Sequence, residues 1–230
     1  MIELLVALTI GLFLLFGLSA VLQTNKRTFT SQNLLSQLQD SERLAATMMN
    51  DVIEQAGYFP NPTTNTAATS FAAVGSFAQG QSVYGTYSTS TTGDSISVRY
   101  TTAPGSSTIN CAGTSNTGTV NTTYTNTFSV VVNPFNNVSQ LVCNLNGTNY
   151  PLINNVTNLK VLYGVNNAGS GNNVDTYMYA SQVTNWNNVI TVQFTLTFSN
   201  PLVGAPGQPA NSGPTTFALT RTINIMQQTG

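Results

Sequence analysis

The feature that most constrains this chain is its first 22 residues, MIELLVALTIGLFLLFGLSAVL, an almost unbroken apolar run with one charge, Glu3. In a helix that rises about 1.5 Å per residue, such a run spans the hydrocarbon core of a bilayer, which is about 30 Å thick. A cleaved signal peptide is not expected, because the run is too long for a signal-peptide core, no basic segment precedes it and no A-x-A site follows it. A carboxylate in such a segment costs several kcal/mol unless a cation meets it, so Glu3 indicates a second environment besides lipid.

The next stretch predicts a continuation of the same helix with one apolar face, because apolar residues recur at three- and four-residue steps. These residues are Leu34, Leu35, Leu38, Ala45, Met48, Met49, Val52 and Ala56. Lys26 and Arg27 would lie at the polar interface of a membrane. Gly57 is expected to cap the helix just before the sequence YFPNP. The pattern therefore predicts one helix over Met1–Ala56, about 80 Å long at 1.5 Å per residue.

Two domains are expected. Residues 1–57 form the long helix, hydrophobic over 1–22 and amphipathic over 23–57, and residues 58–230 form a strand-rich head. Gly11 and Gly17 each cost a helix about 1 kcal/mol relative to alanine, so they are the expected places for a bend or local unwinding. The predicted fold class is α+β, with the long N-terminal helix packed on an antiparallel sheet.

Several short segments of the head have the composition of strands, and Val189–Ser199, VITVQFTLTFS, alternates apolar and polar residues most clearly. The other predicted strands are QSVYGTYS, SISVRYT, TFSVVVN, SQLVCNL, NLKVLYGV and TFALTRTINIM. Arg221 falls on the apolar face of the last one, so it should lie at the strand edge, snorkel or find a carboxylate. The predicted loops are NPTTNTAATS, NNAGSGNNVD and NPLVGAPGQPANSGPT.

The composition argues against several functions. Charged residues make up 6% of the chain, the net charge is -1, and no basic patch is available for nucleic acid. Histidine is absent, which removes the commonest general base, and no nucleophile motif, phosphate loop or zinc spacing is found. We therefore expect neither an enzyme nor a cofactor or metal site. Asn166, Asn167 and Asp175 are weak candidates for calcium ligands, since Ca²⁺ prefers several carboxylates.

Cys111 and Cys143 are the two cysteines of the chain. In an exported protein such a pair most often forms one disulfide. Closing a loop of about 32 residues would stabilise the fold by roughly 3–4 kcal/mol on the chain-entropy model. The alternative is a pair of unpaired thiols.

The N-terminal sequence MIELLVALTIGLFLL resembles the start of type IV pilins and pseudopilins. Further segments are similar to PilW-type pilins, whose near relatives include the J-type pseudopilins of type II secretion: SERLAATMMNDVIEQAGYFP, the stretch from VTNLKVLYGV to TVQFTLTFS, and TFALTRTINIMQQ. In mature pilins the glutamate is usually the fifth residue, whereas here it is the third. The resemblance therefore leads us to expect two further residues before Met1, together with a short basic leader.

The resemblance implies the type IV pilin fold and a bacterial inner-membrane precursor that a prepilin peptidase cuts and N-methylates. It implies assembly of many copies, with other pilins and an ATP-driven machinery, into a helical filament on the cell surface. Glu3 would then neutralise the N-terminal amine of a neighbouring subunit. No nucleic acid is required.

Two functions remain open at this stage. The chain is either the main structural subunit of a type IV pilus-like filament, or a minor pilin that primes assembly or presents an adhesin at the tip. PilW-type proteins usually have the minor role. The weakly charged Asn- and Thr-rich head instead suits a coat made of many copies, and the main-subunit interpretation is slightly preferred. Abundance in sheared filaments would separate the two.

Overall fold

The computed structural model describes residues 2–167, 173–205 and 213–226. The predicted helix start at Met1, the middle parts of two predicted loops and residues 227–230 lie outside the described residues. The chain divides into two compact units. The smaller unit comprises residues 1–40 and 200–215, and the larger unit comprises residues 41–199 and 216–230.

Helix α1 (Ile2–Glu54) is continuous over 53 residues. It ends two residues before the predicted Ala56, because the N–H of Gly57 donates to the carbonyl of Arg99 at 3.0 Å and so leaves the helical ladder. Gly57 itself has a φ of +86°, the left-handed conformation that glycine adopts without a Cβ penalty. The prediction of a glycine stop is confirmed, and the exact end was wrong because a tertiary hydrogen bond decides it.

Nine strands form two antiparallel sheets in the described part of the larger unit. The first sheet has the order β1-β2-β3-β4-β5, and its strands are β1 (Val83–Thr86), β2 (Ser95–Thr102), β3 (Thr122–Val132), β4 (Ser139–Leu145) and β5 (Thr148–Asn154). The second has the order β7-β6-β8-β9, and its strands are β6 (Val156–Val165), β7 (Thr176–Met178), β8 (Val189–Ser199) and β9 (Thr216–Asn224). Every strand neighbour pair is antiparallel, as predicted.

Some elements were not predicted. Strand β5 contains Pro151, which breaks a strand pattern but is tolerated because β5 lies at the edge of its sheet. The turn before it, Asn146–Gly147, has positive φ at both residues, as a tight two-residue hairpin turn requires. The predicted loop NPTTNTAATS contains a short helix, α2 (Ala67–Ser70), so the loop assignment is wrong there. The hydroxyl of Thr66 caps this helix by accepting a hydrogen bond from its third residue.

The core lies between the two sheets, because strand β6 of the second sheet contacts β2, β3 and β4 of the first. Alternate residues of these strands are fully or almost fully buried: Ile96, Val98, Tyr100, Phe128, Leu141, Leu159, Val161, Tyr163, Phe194, Leu196 and Phe198. The end of α1 contributes to the core of the same unit, where Met49, Val52 and Ile53 are buried. The predicted alternation of β8 is therefore confirmed by its buried apolar face. Arg221 is exposed on the edge strand β9, in agreement with the predicted edge position.

Candidate assembly surface on the N-terminal helix

The first 22 residues of the helix present large apolar side chains to the outside. Phe13 and Phe16 are 80% and 77% exposed, and the neighbouring leucines, isoleucines and valines are similar. The helix is long and apolar enough to cross a membrane, and none of its most apolar window is buried. An exposed apolar surface of this extent marks a site that lipid or another protein covers.

Glu3 lies in the first turn of α1, and its side chain is exposed. An acidic group at this end of a helix is favourable, because the unpaired N–H groups carry partial positive charge. No cation pairs with Glu3 among the described residues. Its pairing role with a second chain therefore remains a prediction.

Gly11 and Gly17 lie within the uninterrupted helix. A Cβ added at either position would meet nothing within 4 Å. Bending or unwinding at these glycines remains a prediction about the helix in another environment.

The last turns of α1 are amphipathic as predicted. In the larger unit the buried helix residues are Ala45, Ala46, Met49, Val52 and Ile53. The carbonyl of Glu54 accepts a hydrogen bond from the N–H of Met226 at 3.0 Å, and the N–H of Thr101 donates to the carbonyl of Tyr58 at 2.8 Å. These two contacts and the Gly57 bond attach the helix end to β2 and to the segment after β9.

Arg99 is a buried cation that sequence reasoning did not identify as structurally important. Its guanidinium donates to the carbonyls of Gln81, Ala72 and Ala78 at 2.6, 2.6 and 2.9 Å. The rings of two phenylalanines lie 5.3 and 4.6 Å from its central carbon, and these are Phe71 and Phe77. Burial lowers the pKa of Arg99 to about 10, which still leaves it charged at neutral pH. The side chain thus holds residues 71–82 against β2 as a structural cation.

Asp94 and Lys160 form an ion pair between the two sheets. The Asp94 carboxylate is buried and lies 3.3 Å from the Lys160 Nζ, which also donates to the carbonyl of Ser88 at 2.6 Å. The same carboxylate accepts the N–H groups of Ser88 and Val161 at 2.9 and 3.0 Å. Lys160, the single lysine of the predicted head, is therefore a structural partner.

The predicted disulfide between Cys111 and Cys143 is present, so the alternative of two free thiols is wrong. Both cysteines are buried. The bond joins the segment after β2 to strand β4. The N–H of Cys111 also donates to the Asn126 side chain at 3.0 Å.

The weak metal candidates belong to a hydrogen-bonded loop. The carboxylate of Asp175 accepts the N–H of Asn167 at 2.8 Å, and the N–H of Asn166 donates to the carbonyl of Asn188 at 2.9 Å. Across the described residues, no group of three or more His, Cys, Asp or Glu side chains is positioned to hold a metal. One carboxylate, such as that of Asp175, is a poor site for Ca²⁺.

The long apolar N-terminal helix and the two antiparallel sheets define an α+β class of protein. Residues 127–222 match the family profile of the Type IV Pilus-assembly protein W. The matched segment is less than half of the chain. A solved structure, a type IV-like pilin from Thermus thermophilus, aligns with 16% identity and a TM-score of 0.46, over 84% of this chain and 97% of that chain. No curated protein matches the chain.

Proposed function

We propose that this protein is a structural subunit of a bacterial type IV pilus-like surface filament. The observation that carries the proposal is the exposed apolar segment of α1. The same chain contains a folded domain that a disulfide and an ion pair stabilise. Such a segment suits two environments, the bilayer before assembly and the apolar centre of a polymer afterwards. The proposed role is structural and not enzymatic.

Glu3 is the proposed assembly residue. In a membrane-inserted precursor it lies near one end of the apolar segment, where water is within reach. In the apolar centre of a filament the carboxylate needs a cation, and the N-terminal amine of a neighbouring copy supplies one. The proposed life history is an inner-membrane precursor, cleavage and N-methylation by a prepilin peptidase, and extraction into the filament by the assembly machinery.

A second candidate is a minor pilin that primes assembly or presents an adhesin at the tip. The name of the matching family, a pilus-assembly protein, favours this role. The weakly charged head instead favours a coat of many copies, because little charge repulsion opposes close packing. We prefer the main-subunit role on this ground.

The two candidates differ in the amount of protein that they predict. Filaments would be sheared from cells, purified and quantified by mass spectrometry. A main subunit should make up most of the filament protein, whereas a minor pilin should be present in trace amounts among copies of another pilin. Complete absence of the chain from filaments would refute both roles.

A further inference from the structure

The charges of this protein are distributed unevenly, and α1 carries most of those that a partner could reach. Five charged residues follow Glu54, and the carboxylate of one of them, Asp175, accepts the N–H of Asn167. Asp94 and Lys160 pair with each other, and Arg99 is buried on three carbonyls. A second chain that recognises this protein by charge must therefore contact mainly the charged side chains of α1.

Two groups of charge on the helix match in size and differ in sign. Lys26 and Arg27 are both exposed and form the group that we name the basic collar, with charge +2. Asp51 and Glu54 are both exposed and form the group that we name the acidic end, with charge -2. No ion pair involves any of these four side chains among the described residues.

We propose that the basic collar of one copy docks on the acidic end of a second copy, and that this contact sets the axial register of the filament. The proposal rests on the proposed filament function. The register offsets the two copies by 24 to 28 helix positions, the separation of the collar from the acidic end in the sequence. Because the basic collar of one copy contacts the acidic end of another, the contact is head-to-tail. Repetition of a head-to-tail contact produces a helical polymer.

The apolar surface of the helix supports the same register. Beyond Leu22, the exposed large apolar residues of α1 are Phe29 and Leu44, 71% and 51% exposed. With an offset of about 25 positions, Phe29 of one copy aligns with the exposed Leu4 of the other, and Leu44 aligns with Ser19, next to the exposed Leu18. The offset therefore joins apolar surface to apolar surface and opposite charges to each other.

The middle of the helix is a poorer match for the collar. Asp40, Glu42 and Arg43 together carry a charge of -1, and both Asp40 and Arg43 already have contacts within the chain. Exposed ion pairs contribute little to stability, but like charges at a contact cost several kcal/mol and exclude wrong registers. The collar and the acidic end are thus expected to select the register, while the apolar segment supplies most of the free energy of assembly.

The test is a charge swap in the full chain, in cells that assemble filaments. One variant carries Lys26→Glu and Arg27→Glu, a second carries Asp51→Lys and Glu54→Lys, and a third combines all four. Chain content in sheared filaments is measured relative to the membrane level of the same variant. Each reversal alone is expected to lower incorporation about tenfold, and the combined variant is expected to recover at least half of it.

If a charge reversal impairs folding, disulfide cross-linking between copies provides a second measurement. Copies with Arg27→Cys and copies with Glu54→Cys are expressed together, and oxidation should join them into dimers within filaments. The native cysteines do not interfere, because they already form a disulfide. Arg221→Glu, an exposed charge of β9, is the matched control and should leave incorporation unchanged.

The outcomes separate the inference from the function on which it rests. If the unmodified chain is absent from filaments, both fail. If it is present but neither reversal changes incorporation and no dimer forms, the register contact alone is refuted. If only the collar reversal matters and the swap gives no recovery, the collar acts on anionic lipid headgroups, and the contact between copies is likewise refuted.

Discussion

The carboxylate of Asp94 accepts the main-chain N–H of Val161 at 3.0 Å, and this hydrogen bond joins the first sheet to the second. The N–H of Asp94 in turn donates to the carbonyl of Leu159 at 2.7 Å. Asp94 therefore connects the first sheet to strand β6 of the second through its buried carboxylate and a main-chain hydrogen bond.

Asp94→Ala is expected to lower the free energy of unfolding by about 2–4 kcal/mol, because it leaves the buried N–H of Val161 and the half-buried N–H of Ser88 without an acceptor. Lys160→Met should cost less than about 1 kcal/mol, since the Lys160 side chain is 39% exposed and well hydrated. Urea unfolding of the full chain in detergent would measure both. Equal losses for the two variants would contradict a dominant role of the buried carboxylate.

Arg99→Leu should destabilise the protein by about 3–5 kcal/mol, because it removes three hydrogen bonds to buried or partly buried carbonyls and the contacts with two rings. Arg221→Leu is the matched control. Its side chain is exposed, so a change within about 0.5 kcal/mol is expected. Limited proteolysis provides a second readout, since residues 71–82 should become sensitive only in the Arg99 variant. Protection of that segment would show that the arginine does not hold it.

Two buried tyrosines are expected to make the fold sensitive to alkaline pH. Burial raises the pKa of Tyr100 and, together with the charge of Asp94, the pKa of Tyr163. Above pH of about 10 the unfolded chain releases these protons while the folded chain keeps them, so each tyrosine lowers stability by about 1.4 kcal/mol per pH unit. The lowered pKa of Arg99 acts in the opposite direction, because there the folded chain releases its proton first. A net loss of stability of about 1.4 kcal/mol per pH unit should remain above a pH of about 10, and thermal unfolding between pH 9 and pH 11 would show where it begins.

Phenylalanine substitutions at the two tyrosines distinguish their hydroxyl groups. The Tyr163 hydroxyl is buried without a hydrogen-bond partner, so Tyr163→Phe should raise stability by up to about 1 kcal/mol at neutral pH. The Tyr100 hydroxyl donates to the carbonyl of Ile109 at 2.8 Å, so Tyr100→Phe should lower stability by about 1 kcal/mol. Both variants should reduce the loss at alkaline pH. Identical effects at neutral pH would contradict the assigned difference in hydrogen bonding.

Replacing Cys111 and Cys143 with serine should cost roughly 3–4 kcal/mol, the value expected for a closed loop of about 32 residues. Buried hydroxyls in place of sulfur add to this loss. The melting temperature of the full chain in detergent, with and without reductant, measures the effect. If reductant changes the melting temperature of the serine variant, the reductant acts on something other than the disulfide.

Glu3→Ala should leave membrane insertion intact, because the apolar segment is unchanged, and should block or strongly impair filament assembly. Membrane fractionation and recovery of sheared filaments measure the two steps separately. Glu42→Ala removes a carboxylate from the second half of the same helix and should leave both steps normal. Normal filament yield from the Glu3 variant would reject the pairing with a neighbouring amine.

Periodic elements were predicted well because their signal is local. The ends of β4 and β8 agree with the predicted segments SQLVCNL and VITVQFTLTFS, since alternation reports which face of a strand is buried. Strand β5 was not predicted, because Pro151 opposes a strand and only its position at the sheet edge permits it. The end of α1 was misplaced for a similar reason, since a hydrogen bond from Gly57 to another strand decides it.

The sequence by itself determined the apolar segment with Glu3, the amphipathic continuation of the helix and the cysteine pair, because composition and short-range spacing carry these features. The tertiary structure alone decided the roles of the charged residues in the larger unit. Arg99 reaches carbonyls 18 to 27 positions earlier in the chain, and Asp94 meets Lys160 at a separation of 66 positions. No local pattern encodes such contacts. They exist because folding removes a charge from water only where hydrogen bonds or an opposite charge can replace the lost hydration.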